Sequence, residues 1–304
     1  MRVSSLSKTR TWAGPNKDVV RECKITLISQ FLRGKTPAII SFPGTRALLE
    51  RALVARGIAS ADQIVGIQTN KRIGDDHGAA VLDLLSEELT TCGPTLPLFV
   101  GEFSDFPAAL RAGEAKQDHV VPRPLRMRPW LEANGATRFN VLELDVCCPF
   151  GPSITGPVED LLRDGRVADD ALLLVNHMKG REKPGLLPYM VRESARFGER
   201  CSLAKLAGDV FRYAEIPKFY ANMARHRGYA CVLMKVHEYR DKNEGSGKAV
   251  KMIQYFFRLR TATKNSGAAF KAVATRAINT LAREVKASEK SSVFRGAIYQ
   301  KTID

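Results

Sequence analysis

The sequence predicts a doubly wound α/β sandwich, with a mostly parallel sheet of about seven strands ending in an antiparallel hairpin. Three features predict it. Strand-length apolar runs alternate with helical ones from residue 36 to 178, a pattern that demands parallel strands joined by right-handed crossovers. Two of those runs, "VLELDV" and "ALLLVN", are apolar almost throughout, as strands covered on both faces are. Near the end, "YACVLMKVHEYRD" and "AVKMIQYFFRLRTA" flank the Gly-rich "KNEGSGK". A connection that tight joins antiparallel strands.

In chain order, residues 1–20 mix Ser, Lys, Thr, Arg, Gly and Pro and read as a flexible basic arm. "VVRECKITLISQFLRG" has helical spacing and stops at Gly34. "TPAIISFPG" (36–44) is the first strand. "TRALLERALVARGI" is a helix capped by Thr45, with Leu48, Leu49, Ala52 and Leu53 on one face. "DQIVGIQTN" (62–70) is the second strand, "DDHGAAVLDLLSEELT" (75–90) a helix, and "LPLFVGEFSDF" (96–106) the third strand. Residues 107–137 are irregular and rich in Pro and Arg. "FNVLELDVCCPF" is the fourth strand, a helix covers 157–164, and "ADDALLLVNHM" (168–178) is the fifth strand. Helical segments fill about 200–227 before the hairpin. A basic amphipathic helix and tail follow over 263–304, with Phe270, Val273, Ala277, Ile278, Leu281 and Val285 on one face and Lys271, Arg276, Arg283 and Lys286 on the other. There is no internal repeat and no clean domain boundary, so residues 21–262 read as one domain between the arm and the C-terminal helix.

Composition bounds the function. The 304 residues are 44% hydrophobic and 26% charged, ordinary values for a globular protein. No apolar run approaches the roughly 18 residues a membrane span needs. The opening "MRVSSLSKTRTWAGPNK" lacks a secretory apolar core. A cytoplasmic protein without a membrane partner is the expectation. The six cysteines show no CxxC pairs and no His spacing suited to zinc, and read as reduced thiols. Forty-seven Lys and Arg against 32 Asp and Glu leave a net charge of +15, with a pI near 9.7. Such an excess attracts polyanions, and DNA or RNA is the expected partner.

The stretch "RFNVLELDVCCPFGPSI" (138–154) carries the chemistry. Five strands with crossovers and a terminal hairpin resemble the layout of class I S-adenosylmethionine-dependent methyltransferases over about residues 36–262. "DVCCPFG" resembles the fourth-strand motif of the members that methylate base amino groups, which have a polar acceptor, then Pro-Pro and an aromatic. That resemblance implies that Asp145 holds the amine while Pro149 and Phe150 offer a face for a flipped base. It implies further that Phe42 and Gly44, after strand one, approach the methionine part of the cofactor. Gln68 and Asn70, ending strand two, would face the ribose, and Asp105, after strand three, the adenine. The chain departs from the family in having one glycine in "SFPGT" and amides instead of an acid after strand two. Cys147 and Cys148 stand where a polar residue and the first proline are usual. The resemblance therefore implies either an active methyltransferase on nucleic acid, or a fold whose cofactor site has decayed and which serves as a basic nucleic-acid-binding or assembly protein.

Other chemistry is open on the same residues. Cys147 or Cys148 could be the nucleophile of a pyrimidine C5 methylating enzyme. Glu143 and Asp145, two apart and so on one face, could bind a nuclease metal with Asp105 and Glu102, although no metal is the favoured reading. His177 at the end of strand five and His77 near strand two could line the cleft, with His119, His226 and His237 dispersed elsewhere. Arg123, Arg126, Arg128 and Trp130 combine cations with an aromatic, as a loop tracking phosphates and stacking a base requires. Arg225, His226 and Arg227 are a second basic candidate. "GSGK" lies in a hairpin turn, not between strand and helix, and is not a P-loop.

Overall fold

In the computed structural model of the chain, the described residues are 15–43, 47–68, 96–112, 138–146, 148–180, 182, 184–199, 211–242, 249–262 and 300–302. They form one sheet in the order β3-β2-β1-β4-β5-β7-β6-β8. Its strands are β1 Ile39–Ser41, β2 Ile64–Gln68, β3 Leu98–Val100, β4 Phe139–Leu144, β5 Val167–Met178, β6 Tyr229–Lys242, β7 Ala249–Thr261 and β8 Gln300–Thr302. The first five pair in parallel. Strand β7 inserts between β5 and β6, antiparallel to both. The eighth strand lies inside the segment expected as C-terminal helix and tail. It is a three-residue strip on the outer edge of β6, pairing Lys235–His237 with Gln300–Thr302.

The helices are α1 Pro15–Phe31, α2 Leu48–Ala55, α3 Phe106–Ala112, α4 Pro152–Arg163, α5 Leu186–Arg196 and α6 Ile216–His226, the last entered through a π-helical turn, Phe211–Glu215. Strand alternation sorts them into two layers. On one face Ile39, Ile64, Val141, Leu172, Leu174 and Phe256 lie beneath Ile25 and Ile28 of α1 and Leu49 and Leu53 of α2. On the other, Ile40, Val65, Leu142, Leu173, Val175 and Phe257 lie beneath Phe106 of α3, Val158 and Leu161 of α4, Met190 of α5 and Phe219 and Tyr220 of α6. All six residues of β4 are buried. Its apolar side chains, Phe139, Val141, Leu142 and Leu144, each contribute about 1.5–3 kcal/mol on leaving water.

Two boundaries differ from expectation for identifiable reasons. Helix α1 starts at Pro15, inside the expected arm, because proline suits a first helical turn whose N–H has no partner. Helix α4 starts at Pro152 for the same reason, with Pro157, the expected start, in its interior. The expected helix 75–90, the cap Thr45 and the basic helix after residue 263 lie outside the described residues. No helix among the described residues is long and apolar enough to cross a membrane.

Candidate active site

In open α/β sheets ligands bind beyond the carboxyl ends of the strands, where strand order reverses. Here that place is the edge running from β3 through β1 to β4. Strand β1 ends in Ser41, followed by Phe42 and Pro43. Strand β4 ends at Leu144, followed by Asp145. The β1–β4 register sets Ile40 beside Leu142, so Ser41 stands next to Glu143 on the face covered by α1. Glu143 and Asp145 do share that face.

A buried polar network joins these residues. Lys24 Nζ of α1 lies 2.5 Å from Glu143 Oε1 and 3.6 Å from Asp145 Oδ2. Lys17, about two turns earlier on the same face of α1, lies 3.2 Å from the same Asp145 oxygen. The Asn176 amide, at the carboxyl end of β5, donates to Asp145 Oδ1 and to the Tyr239 hydroxyl, both at 2.7 Å. Burial pushes the Asp145 carboxyl up, but Lys17, Lys24 and the Asn176 amide outweigh it and hold the group well below the usual carboxylate range. Asp145 is thus a fixed anion. On the other side of Glu143, Ser41 Oγ sits 3.3 Å from Glu143 Oε2 and in direct hydrogen-bond contact with Glu50 of α2. Burial, then the neighbouring Glu143 charge, raises the Glu50 carboxyl to about 7.

Over the end of β2, Phe42 and Phe103 meet edge to face with centroids 5.1 Å apart. Pro43 leans over the same strand, its Cγ 3.0 Å from where a Cβ on Gly66 would be. Asp105, half-buried, directly precedes α3, its carbonyl accepting from the Ala109 N–H at 2.9 Å. Gly44 and Asn70 lie outside the described residues, as does the side chain of Gln68.

Phe150 needs correcting. Expected to offer a face to a base, it is 4% exposed in the opposite core. His177, Phe219 and Tyr220 ring it edge-on with centroids 5.3–5.9 Å away. After half-exposed Pro149 the chain turns inward to start α4, carrying the ring with it. His177 likewise belongs to the packing: its Nε2 is 3.0 Å from the Tyr220 hydroxyl, and burial pushes its pKa down to about 3. The Cys148 thiol is pushed up to about 11 by burial, which leaves it un-ionised and a poor nucleophile; Cys147 is outside the described residues. Glu143 and Asp145 are held by ammonium groups where a metal reading would need a cation. Arg225 and Arg227 are ion-paired, at 3.0 Å to Glu199 and 2.6 Å to Glu159. Arg123, Arg126, Arg128 and Trp130 are outside the described residues, as are His77 and His119.

Reading the sequence missed Lys17, Lys24, Ser41, Glu50, Asn176 and Tyr239. One signal was present: polar Asn176 closing the apolar run "ALLLV".

Five parallel strands whose last is joined by a β7 inserted antiparallel, with β6 outside it, decide the architecture. The fold is that of a class I methyltransferase. No family model matches the chain, and no curated protein matches it. Among solved structures, the chain is similar to a proposed RNA methyltransferase from Pyrococcus horikoshii, at 11% identity over 80% of this chain and 84% of that one, TM-score 0.41. It is similar also to a proposed methylase from Haemophilus influenzae, at 12% identity over 82% and 100%, TM-score 0.39.

Proposed function

We propose that the protein is an S-adenosylmethionine-dependent methyltransferase acting on nucleic acid, with a base amino group as the acceptor. The observation that carries the reading is Asp145: an ionised carboxylate at the end of β4, locked by Lys17, Lys24 and Asn176. It stands on the sheet edge that also carries Phe42 and Asp105.

The cofactor, when bound, supplies an electrophilic methyl group on sulfur. Phe42, Phe103 and Asp105 would hold its adenosine end, and the loop through Gly44 its methionine end. Asp145 would accept a hydrogen bond from the exocyclic amine and aim its lone pair along the line of displacement. A carboxylate with so low a pKa orients the amine and leaves the proton to be lost to water after transfer. Positioning of this kind supplies most of the acceleration. Pro149 would border the entering base, and Arg123, Arg126, Arg128 and Trp130 would track the strand that presents it. The +15 charge supports the choice of a polyanion.

Specific observations also favour a second reading, a decayed cofactor site on a basic nucleic-acid-binding or assembly protein. Phe42 and Pro43 stand in the loop after β1, where the family it resembles has glycines, and with Phe103 they crowd the end of β2. Titration with S-adenosylmethionine followed by transfer of labelled methyl to RNA or DNA separates the two. Binding and label in either polymer supports the enzyme; no binding at millimolar cofactor leaves the second.

A further inference from the structure

Beneath α1 the sheet carries a row of polar side chains. Asn176 of β5 pairs with Gln254 of β7, and Gln254 with His237 of β6, so the three stand side by side on the face that α1 covers. They are 0%, 0% and 2% exposed. On that face, two residues before Asn176, Leu174 pairs with Phe256, and both cluster with Ile25 and Ile28 of α1. Two residues after Asn176, Met178 pairs with Met252, and both cluster with Tyr239 and with Val20 of α1. The row is a polar seam between two apolar clusters.

Its members do not bond to one another. The Asp145 carboxylate only accepts, which fixes the Asn176 amide: its nitrogen donates to Asp145 and to the Tyr239 hydroxyl. The Gln254 amide is fixed as well, since Nε2 donates to the Tyr255 carbonyl at 3.2 Å. Asn176 Oδ1, Gln254 Oε1 and both His237 ring nitrogens have no hydrogen-bond partner among the described residues. Buried polar atoms of folded proteins are nearly all hydrogen-bonded, so a further group meets these.

The chemistry of the row identifies that group. Two carbonyl oxygens each require a donor, and a neutral imidazole requires one donor and one acceptor. His237 is neutral, because burial, then Lys235 beside it, lowers its pKa to about 4. An anion would meet the two carbonyl oxygens. A cation would meet Lys235, whose Nζ lies on the same face, 3.4 Å from Cys23 of α1. What fits is a small neutral molecule that both donates and accepts. We propose that ordered water occupies the seam, bridging Asn176 Oδ1 to Gln254 Oε1 and Gln254 Oε1 to His237. The seam begins at the amide that holds Asp145, so this buried water reaches the back of the candidate active site.

The test is a crystal structure of the full chain, joined to nuclear Overhauser measurements of long-lived water in solution. Ordered water within hydrogen-bond distance of Gln254 Oε1, and of Asn176 Oδ1 or His237, is the result expected. A dry seam overturns the inference, and so does a turn of the His237 ring that lets it donate directly to Gln254 Oε1. In solution the His237 ring protons and the Asn176 and Gln254 amide protons should show contacts with water, and their absence overturns the inference. Gln254→Met keeps the length of the side chain but removes the carbonyl, so contacts at His237 should be lost. Contacts that persist unaltered in the variant place the water elsewhere and overturn the bridge. Should Gln254→Met fail to fold, the wild-type measurements decide.

Discussion

Lys24 Nζ and Glu143 Oε1 are 2.5 Å apart, with side chains 5% and 2% exposed, so the pair is sealed between α1 and the sheet. Removing one partner strands the other charge in the interior. Lys24→Met should destabilise the fold by about 3–5 kcal/mol, and adding Glu143→Gln should recover a large part of that. Denaturant unfolding measures both. Additive losses would mean that the pair is not coupled.

Glu50 gives stability a pH slope of known sign. Its folded pKa, about 7, lies above its unfolded value, so the folded state holds the proton more tightly. Its stabilising contribution is complete below about pH 4.5 and is lost as pH rises through 7. The whole effect is about 3 kcal/mol. Unfolding free energies of wild type and Glu50→Gln should therefore converge below pH 4.5 and diverge to the wild type's disadvantage by pH 8, each referenced to its acid value. A constant difference across that range contradicts it.

His177 slopes the other way. Burial depresses its pKa to about 3, so its contribution is complete above the unfolded value near 6.5 and declines as pH falls toward 3. Its ring resonances should stay at neutral-imidazole shifts from pH 8 down to pH 5. A midpoint above 6 would put the ring in water, against its 1% exposure.

If Asp145 orients the acceptor amine, Asp145→Asn should lower methyl transfer about a hundred-fold or more, with cofactor affinity nearly unchanged. Loss of cofactor binding by the same factor would assign Asp145 to the cofactor instead.

Nucleic-acid binding should weaken steeply with salt, as condensed counterions are released. Replacing Arg123, Arg126 and Arg128 together by Ala should lower the slope of log affinity against log salt by up to about three units. An unaltered slope places the contacts elsewhere on the surface.

The strand read most closely has a long stretch of continuous burial. Strand β5 came within one residue of "ADDALLLVNHM" because its stretch Ala171–His177 is buried throughout; the expected "FNVLELDVCCPF" starts with β4 but runs six residues beyond it. Strands β1 and β3 are three residues each, far shorter than their apolar stretches. Phe103 and Phe106 belong to the turn and helix after β3, and rings pack into a core from a helix as well as from a strand. Helix α5 escaped notice because Leu186 and Met190 are its only buried hydrophobes and too few to set a period. Asp145 was visible from its place after a buried strand. Its partners were not, since Lys17 and Lys24 sit on α1, more than a hundred residues away in sequence, where a lysine reads as a solvated charge. Phe150 misled for the converse reason: Pro-aromatic spacing does not say which way the ring turns.

The insertion of β7 between β5 and β6 has a consequence during synthesis. Strand β5 is among the most apolar segments of the chain, and its outer edge pairs along Asp170–Met178 with Arg260–Met252. The ribosome makes β5 first and its partner last of the main strands. At about 5–20 residues per second, the edge of β5 stays open for on the order of ten seconds while the intervening chain emerges. An unpaired apolar edge recruits whatever strand is nearby. Nascent chains that have reached β5 but not β7 are therefore the natural clients for a chaperone, and the stage at which crowded translation would cause losses.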